Sequence, residues 1–428
     1  MPAFHPDVAT ALAGPEWLVA RRNAAAELFA SAPMPTAEDE VWRYSRIGKL
    51  DLARYRPSSA SPPADPSSTG LADLLARTTA HLPTVRSATV LTVDGHVSRI
   101  DVEPSAAAAL TISGPTDADQ LGALEAAVDV FATANDAYSD PVVISVRAAN
   151  SVTAPVVVVH LVSADGAAVF PRLVLDAAPG SAVSVIEVFA SADVDALVAP
   201  VAQLRAGRDA RVHYAALQIL GPRVWQVATM TGEADAQAHL AASVAAFGGA
   251  YARQRSDARL AGRGATGELV SLYFGDDDQM LDFRTFQDHA APDCTSDLLF
   301  KGAVDGRSHS VYTGLIRVRP DARGTNAYQT NRNIKLSDDA WAESVPNLEI
   351  ENNDVRCSHA STVGPLDPDQ RFYLESRGVP PDAAERLIVA GFFGEVLERL
   401  AVPELVPAVR EHLNRRIAAV SPTAEVAV

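Results

Sequence analysis

LVLDAAPGSAVSVIEVF, residues 173–189, sets two runs of aliphatic and β-branched residues on either side of the turn Ala178-Pro179-Gly180. Such runs read as strands, because branched side chains fit a pleated surface. The pattern extends in both directions. From residue 141 to about residue 355, strands of four to seven residues follow one another, among them VVVVH at 156–160, LVSLYF at 269–274 and GLIRV at 314–318. Turns separate them at Gly221-Pro222, Gly248-Gly249 and Gly262-Arg263-Gly264, and no stretch of helical period and length intervenes. This is too much strand for one simple sandwich, which leaves a barrel, a propeller, a pair of sandwiches or a coiled parallel solenoid. Irregular repeat lengths without a blade signature favour the solenoid.

Composition supports that choice. Hydrophobic residues make up 48% of the 428, yet only 6% are aromatic, so small alanine and valine side chains must pack in closely spaced layers. The formal net charge of -17 argues against a nucleic-acid footprint, which needs clustered lysine and arginine. Two cysteines, Cys294 and Cys357, make no disulfide framework and fit a reducing cytoplasm. The opening residues MPAFHPDVATALAGPEW lack the basic start and apolar run of a secretory signal, and no run of about 18 apolar residues suggests a membrane span. A cytoplasmic location is expected.

Helical patterns flank the strands. Residues 7–32 read as one or two amphipathic helices broken at Gly14-Pro15, and RPSSASPPADPSSTG at 56–70 reads as a linker or loop. A short helix is expected at 71–77, a hairpin about Asp94-Gly95 within TVLTVDGHVSRIDV (89–102), and another helical patch at 121–135. After Gly364, Asp367-Pro368 with Gln370 marks a helix start and Gly378 its end. A further helix over 382–400 carries Ile388, Val389, Phe392, Phe393, Val396 and Leu397 on adjoining rows, a face that its own domain or a partner must cover. The division expected is 1–140 (helical, with the hairpin and linker), 141–362 (β core) and 363–428 (helical).

The chemistry-bearing stretch is PNLEIENNDVRCSHASTVG, residues 346–364. In a strand, side chains two apart share a face, so Cys357 and His359 would project together as half of a soft metal site. The same spacing also suits a packed thiol beside a polar histidine, and it leaves both readings open. Asp276-Asp277-Asp278 reads as a solvated turn rather than a cation site, His289 and His309 as satisfied histidines, and Cys294 as a non-functional thiol in a turn. No P-loop is present, so ATP hydrolysis by this chain is not expected.

Residues 247–400 resemble the SufB/SufD family of iron-sulfur cluster assembly proteins. The motifs are FGGAYAR (247–253), Gly264-Ala265 followed by LVSLYFG (269–275), the 279–282 segment, SDLLFKG (296–302), VYTGLIRV (311–318), YQTNRNIKLSDDA (328–340), PNLEI, RCSHASTVG and FYLESRG (372–378). EVWRYS at 40–45 is similar to an element of the SufD branch, and Gln329-Thr330-Asn331 and Cys357-Ser358-His359 also point to that branch rather than to SufB. Met280, Lys335 and Ser361 depart from the usual pattern. The resemblance implies a mainly β protein, a right-handed parallel β-helix flanked by N- and C-terminal helical domains. It implies a non-catalytic scaffold subunit that pairs with SufB through the β-helix and binds the SufC ATPase through the C-terminal helices. His359, and more weakly Cys357, would hold iron or a transient iron-sulfur cluster together with partner ligands; flavin binding by the whole complex stays open. The alternatives are a SufB-type paralogue and, in a different class, a carbohydrate-active β-helix enzyme. The latter needs paired carboxylates and usually a secretory signal, neither of which the sequence displays.

Overall fold

The computed structural model describes residues 3–58, 69–124 and 127–419. Their centre is a parallel β-solenoid of about eight turns. Successive strands alternate between two sheets, so each strand pairs in parallel with the one two places earlier. One sheet runs from Trp341–Ile350 through His309–Val318, Met280–His289, Tyr251–Leu260, Trp225–Ala234, Val201–Ala206 and Arg172–Ala177 to Val142–Val146. The other runs from Val355–Pro365 through Thr325–Lys335, Thr295–Val304, Thr266–Gly275, His239–Ala246, Arg211–Ile219 and Ala182–Ser191 to Val156–Val162. Several strands reach ten or eleven residues, longer than their apolar runs. The polar residues that read as strand ends in sequence continue the strand, because inward and outward positions alternate through them.

The repeat is more regular than the sequence suggests. Trp225, Tyr251, Met280, His309 and Trp341 stack in register at offsets of 26, 29, 29 and 32 residues. A corner residue with left-handed backbone sets this spacing. Ala149, Gly180, Asp209, Gln237, Gly264, Asp293 and Gly324 all have φ between 57° and 72°. Each donates its N–H to a carbonyl one turn on: to Pro179, Arg208, Ala236, Arg263, Pro292, Arg323 and Asp354 in order. At Gly264 a Cβ would also lie 2.2 Å from the Gln237 amide, so a larger residue there would have to push that side chain aside as well as hold a left-handed backbone, which glycine does without cost.

Inside the coil, small residues such as Val185, Val212, Ala216, Leu240, Ala242 and Leu269 form the lumen core. The N-terminal helices Pro6–Thr10, Glu16–Ser31 and Val130–Tyr138 cover the outer face of the first sheet with Phe29, Phe131 and Tyr138, joined by Phe4 and Trp42 of the segments beside them. The helices Pro381–Glu398 and Val406–Ala419 cover the outer face of the second with Val389, Phe393, Val396, Leu397, Val409 and Leu413. The row carrying Phe393 therefore packs on the chain's own sheet. The most exposed aromatics of the described residues lie instead on the helix Pro368–Ser376, where Phe372 is 72% and Tyr373 58% exposed.

Three sequence motifs converge under the N-terminal segment. Asp282 is fully buried between Arg253 (2.8 Å) and Arg284 (2.6 Å) and accepts from the Tyr251 hydroxyl at 2.8 Å. Arg253 stacks on the Trp42 ring at 3.9 Å and donates to the Val41 carbonyl, while Arg284 donates to the Arg43 carbonyl. EVWRYS is thus held by cations rooted in the FGGAYAR and 279–282 strands. Burial would raise the Asp282 carboxyl, but the two guanidiniums outweigh it and hold the group below its ordinary range.

The structure differs from the sequence reading at two further places. Within 56–70, Arg56–Pro57 pair in parallel with Ala167–Ala168 and a helix begins at Thr69, while residues 59–68 lie outside the described residues. The patch at 121–135 resolves into a 3-10 turn, Asp119–Leu121, and the helix Val130–Tyr138, which Asp129 caps. The expected hairpin is present as Ala88–Val93 and His96–Val102, and it does not stand apart, since its first strand pairs in parallel with Val156–Val162.

One outward column carries charges of strictly alternating sign over seven turns: Asp176, Arg205, Glu233, Arg259, Asp288, Arg317 and Glu349. In-register strands stand about 4.8 Å apart, so like charges at neighbouring positions would repel. Arg259→Glu sets three acidic residues side by side and should lower unfolding stability by about 1–2 kcal/mol. Urea denaturation checks this, and 1 M salt should shrink the difference, because the screening length there is about 3 Å.

Candidate functional site

Among the described residues the solenoid ends on two uncapped strands. Trp341–Ile350 closes one sheet and Val355–Pro365 the other, each with a neighbour on one side only. The 346–364 stretch straddles them. Pro346 to Ile350 finish the first strand, a short turn follows, and Cys357, Ser358 and His359 lie within the second.

Register with the strand beneath fixes the directions of these side chains. Ala327 pairs with Cys357, Gln329 with His359 and Asn331 with Ser361. In that lower strand Ala327, Gln329 and Asn331 are buried in the lumen, whereas Tyr328 and Arg332 are exposed. Aligned residues of parallel strands share a face, so Cys357, His359 and Ser361 face inward over the open end. The contacts agree: Cys357 packs on the cluster of Ile316, Val318, Ala322 and Ala327, and the Ser361 hydroxyl donates to Ser344 of the opposite sheet at 2.7 Å. His359 sits between them and is exposed because no further turn covers it.

The pair expected from spacing is thus brought to one face, but in different surroundings. Burial and the packed neighbours push the Cys357 thiol up, which favours its protonated form. His359 meets solvent directly. Among the described residues no set of three His, Cys, Asp or Glu side chains is arranged to hold a metal ion. The two side chains therefore offer one soft sulfur and one imidazole on an open edge, a partial ligand set.

The lumen changes character towards this end. In the early turns it is mostly apolar; Gln218 pairs there with the Gly248 backbone, and in one closed group His160 meets Thr92 at 2.7 Å and Glu187 at 2.8 Å, and Tyr214 donates to Glu187. In the last turns polar side chains fill it. Tyr273 donates to Asn333, Asn333 to Asn331, and Ser344 also donates to Asn331, so a hydrogen-bonded chain runs from Tyr273 to Ser361 at the edge. Ser296 meets both Gln287 and His289 at 2.8 Å, and burial brings the His289 imidazole down to about 4.

The remaining residues singled out in the sequence take structural places. Asp276 pairs with Arg416 and Asp278 with Arg307 at the expected turn. His309 packs against Trp341 with ring centroids 5.5 Å apart. Met280 is buried beneath the N-terminal segment, and Cys294 is buried with its thiol 3.3 Å from the Gly262 carbonyl. The polar lining, Gln329 above all, escaped the sequence reading; its signal was the alternation of polar residues through YQTNRNIK, which reads as a surface strand until its burial is known.

Native-state alkylation separates the two thiols. A small reagent should modify Cys357 in the folded chain and reach Cys294 only on unfolding, and mass spectrometry of the digested protein reads both sites.

Residues 160–392 match the family described as SUF system FeS cluster assembly, SufBD core domain. An iron-sulfur cluster assembly SufBD family protein of Mycobacterium tuberculosis is 46% identical over 179 residues, which span 40% of this chain and 44% of that one. The iron-sulfur cluster assembly protein SufD of Escherichia coli is 34% identical over 171 residues, 40% of each chain. A Synechocystis protein of the SufBD family is 24% identical over 424 residues, covering 93% of this chain and 91% of its own. The matched region thus spans less than half the length of the mycobacterial relative.

Proposed function

Since this chain belongs to the SufBD family of the SUF iron-sulfur cluster assembly system, we propose that it is a SufD-type scaffold subunit whose last solenoid turn supplies part of the site where a cluster is built. The observation that carries this reading is the position of Cys357 and His359 on the uncapped inward face of Val355–Pro365. A scaffold has to release what it assembles, so it needs soft ligands in an incomplete set rather than a closed four-ligand cage. One imidazole and one thiol meet that need, and the remaining ligands come from a partner.

The partner at that edge is a SufB subunit. Two terminal strands of ten and eleven residues leave rows of backbone N–H and C=O groups unpaired, and native proteins cover edges of that length. A second solenoid laid against them pairs those groups and seats its own ligands opposite His359. His359 is the principal ligand in this reading, because it meets the partner directly, and Cys357 is secondary, because it packs. The cluster or its iron is the cargo.

The C-terminal helices serve the SufC ATPase, where ATP hydrolysis takes place. Support comes from Phe372 and Tyr373 on the helix Pro368–Ser376, from Leu387, which is 55% exposed, and from a cavity of about 900 Å³ beside them. Lys301 and Arg332 of the sheet and Asp367 and Phe392 of the helices line it. An apolar patch with a charged rim is the composition of a protein-docking surface.

Two measurements test the reading. His359→Ala should leave a co-purified complex with SufB and SufC intact but cut cluster formation at least tenfold, read by visible absorption after anaerobic loading with iron and sulfide. A normal yield from that complex would overturn the assigned role. Phe372→Ala with Tyr373→Ala should weaken SufC association by about 2–4 kcal/mol while leaving the melting temperature of the isolated chain within a few degrees of wild type. Calorimetric titration with purified SufC measures the first quantity.

A further inference from the structure

Gln329 is 1% exposed, yet among the described residues neither the oxygen nor the nitrogen of its carboxamide has a hydrogen-bond partner. An unpaired buried polar group costs about 1–3 kcal/mol, so two on one side chain call for an explanation. The surroundings narrow it. Below Gln329 in its column lies Leu298, which offers no polar atom. From the opposite sheet Gly314 faces it with no side chain at all; a Cβ there would lie 2.4 Å from the Gln329 amide nitrogen. Above Gly314 stands Pro346, which lacks a backbone N–H. Above Gln329, on the same inward row and about 4.8 Å away across the strand pair, stands His359.

We propose that Gln329 is a positioning residue for His359: its carboxamide hydrogen-bonds one ring nitrogen and turns the other outward to the cargo. The proposal rests on the scaffold reading of His359. Ligand histidines commonly have the second ring nitrogen held in this way, which fixes the tautomer and the ring orientation. A carboxamide suits the task, since it donates from nitrogen or accepts at oxygen and stays neutral in either role. Gly314 and Pro346 serve the arrangement by leaving the amide room, and the nearby Tyr312 hydroxyl, 2.4 Å from the same Cβ position, is engaged by Thr285 at 2.9 Å.

Gln329→Leu tests the proposal in the complex with SufB and SufC, beside His359→Ala. The expected result is a cluster yield reduced about tenfold with complex assembly intact and a melting temperature within a few degrees of wild type, because the apolar burial gained offsets the one hydrogen bond lost. A purely packing role for Gln329 predicts the reverse, an altered melting temperature with normal clusters. Selective 15N-histidine labelling of the free chain gives a second readout: His359 should populate one neutral tautomer in wild type and a mixture in the variant. Gln329→Met, of similar length, serves the same comparison if the branched side chain prevents folding. Wild-type cluster yield and an unchanged tautomer signal in the variant would overturn the proposal. If His359→Ala loses clusters while Gln329→Leu keeps them, only the positioning role fails; if His359→Ala keeps them, the scaffold assignment fails with it.

Discussion

Everything in this fold depends on one backbone hydrogen bond made again at each corner. A left-handed residue turns the chain, and its N–H meets a carbonyl in the next turn. A turn of fixed hand returns each strand parallel to its predecessor and one strand spacing further along, so inward positions fall on inward positions from Ala149 to Gly324. Ala149 and Gln237 hold this conformation at a steric cost of roughly 1–2 kcal/mol each. Asp209 and Asp293 tolerate it better, and the glycines without penalty. That non-glycine residues accept it at several corners shows how strongly the stacked neighbours determine the path.

The same stacking accounts for the site. In a coil of stacked turns, each inward side chain is buried by the turn above it, and only the last turn lacks that cover. His359 occupies a lumen position and is exposed, a combination available nowhere else along its column, where Tyr214, Leu269, Leu298 and Gln329 are all buried. Polarity in the last turns follows the same logic. Side chains next to an open end remain near solvent or a partner, so Asn331, Asn333, Ser344 and Ser361 can link into a chain there, whereas in the early turns polar side chains are few and locally closed, as in the group around Glu187 and in Gln218 on the Gly248 backbone.

Much of this was legible in the residues. The Gly and Pro turn signals and the valine-rich strands give a solenoid, and the period of two puts Cys357 and His359 together. Pairings across turns were not legible, because they need the offset between strands, which runs from 26 to 32 residues and cannot be counted from turn residues alone. Gln329 beneath His359 is one such pairing. Another is Trp42 over Arg253, in which two motifs visible separately in the sequence meet across some two hundred residues of chain because an internal carboxylate, Asp282, fixes the cation. The fate of Phe393 was undecided for a related reason: an apolar helix row looks the same whether its own sheet or another molecule covers it.

The alternating charges from Asp176 to Glu349 bear on how such a coil can change its length. Removing one whole turn from the middle would bring Glu233 against Asp288, or Arg205 against Arg259, although every strand still found a partner. Removing two adjacent turns restores opposite signs across the cut. Along this face the solenoid has a parity, and a duplication or deletion that respects it inherits a compatible surface, while one that breaks it has to be mended by substitution at the seam.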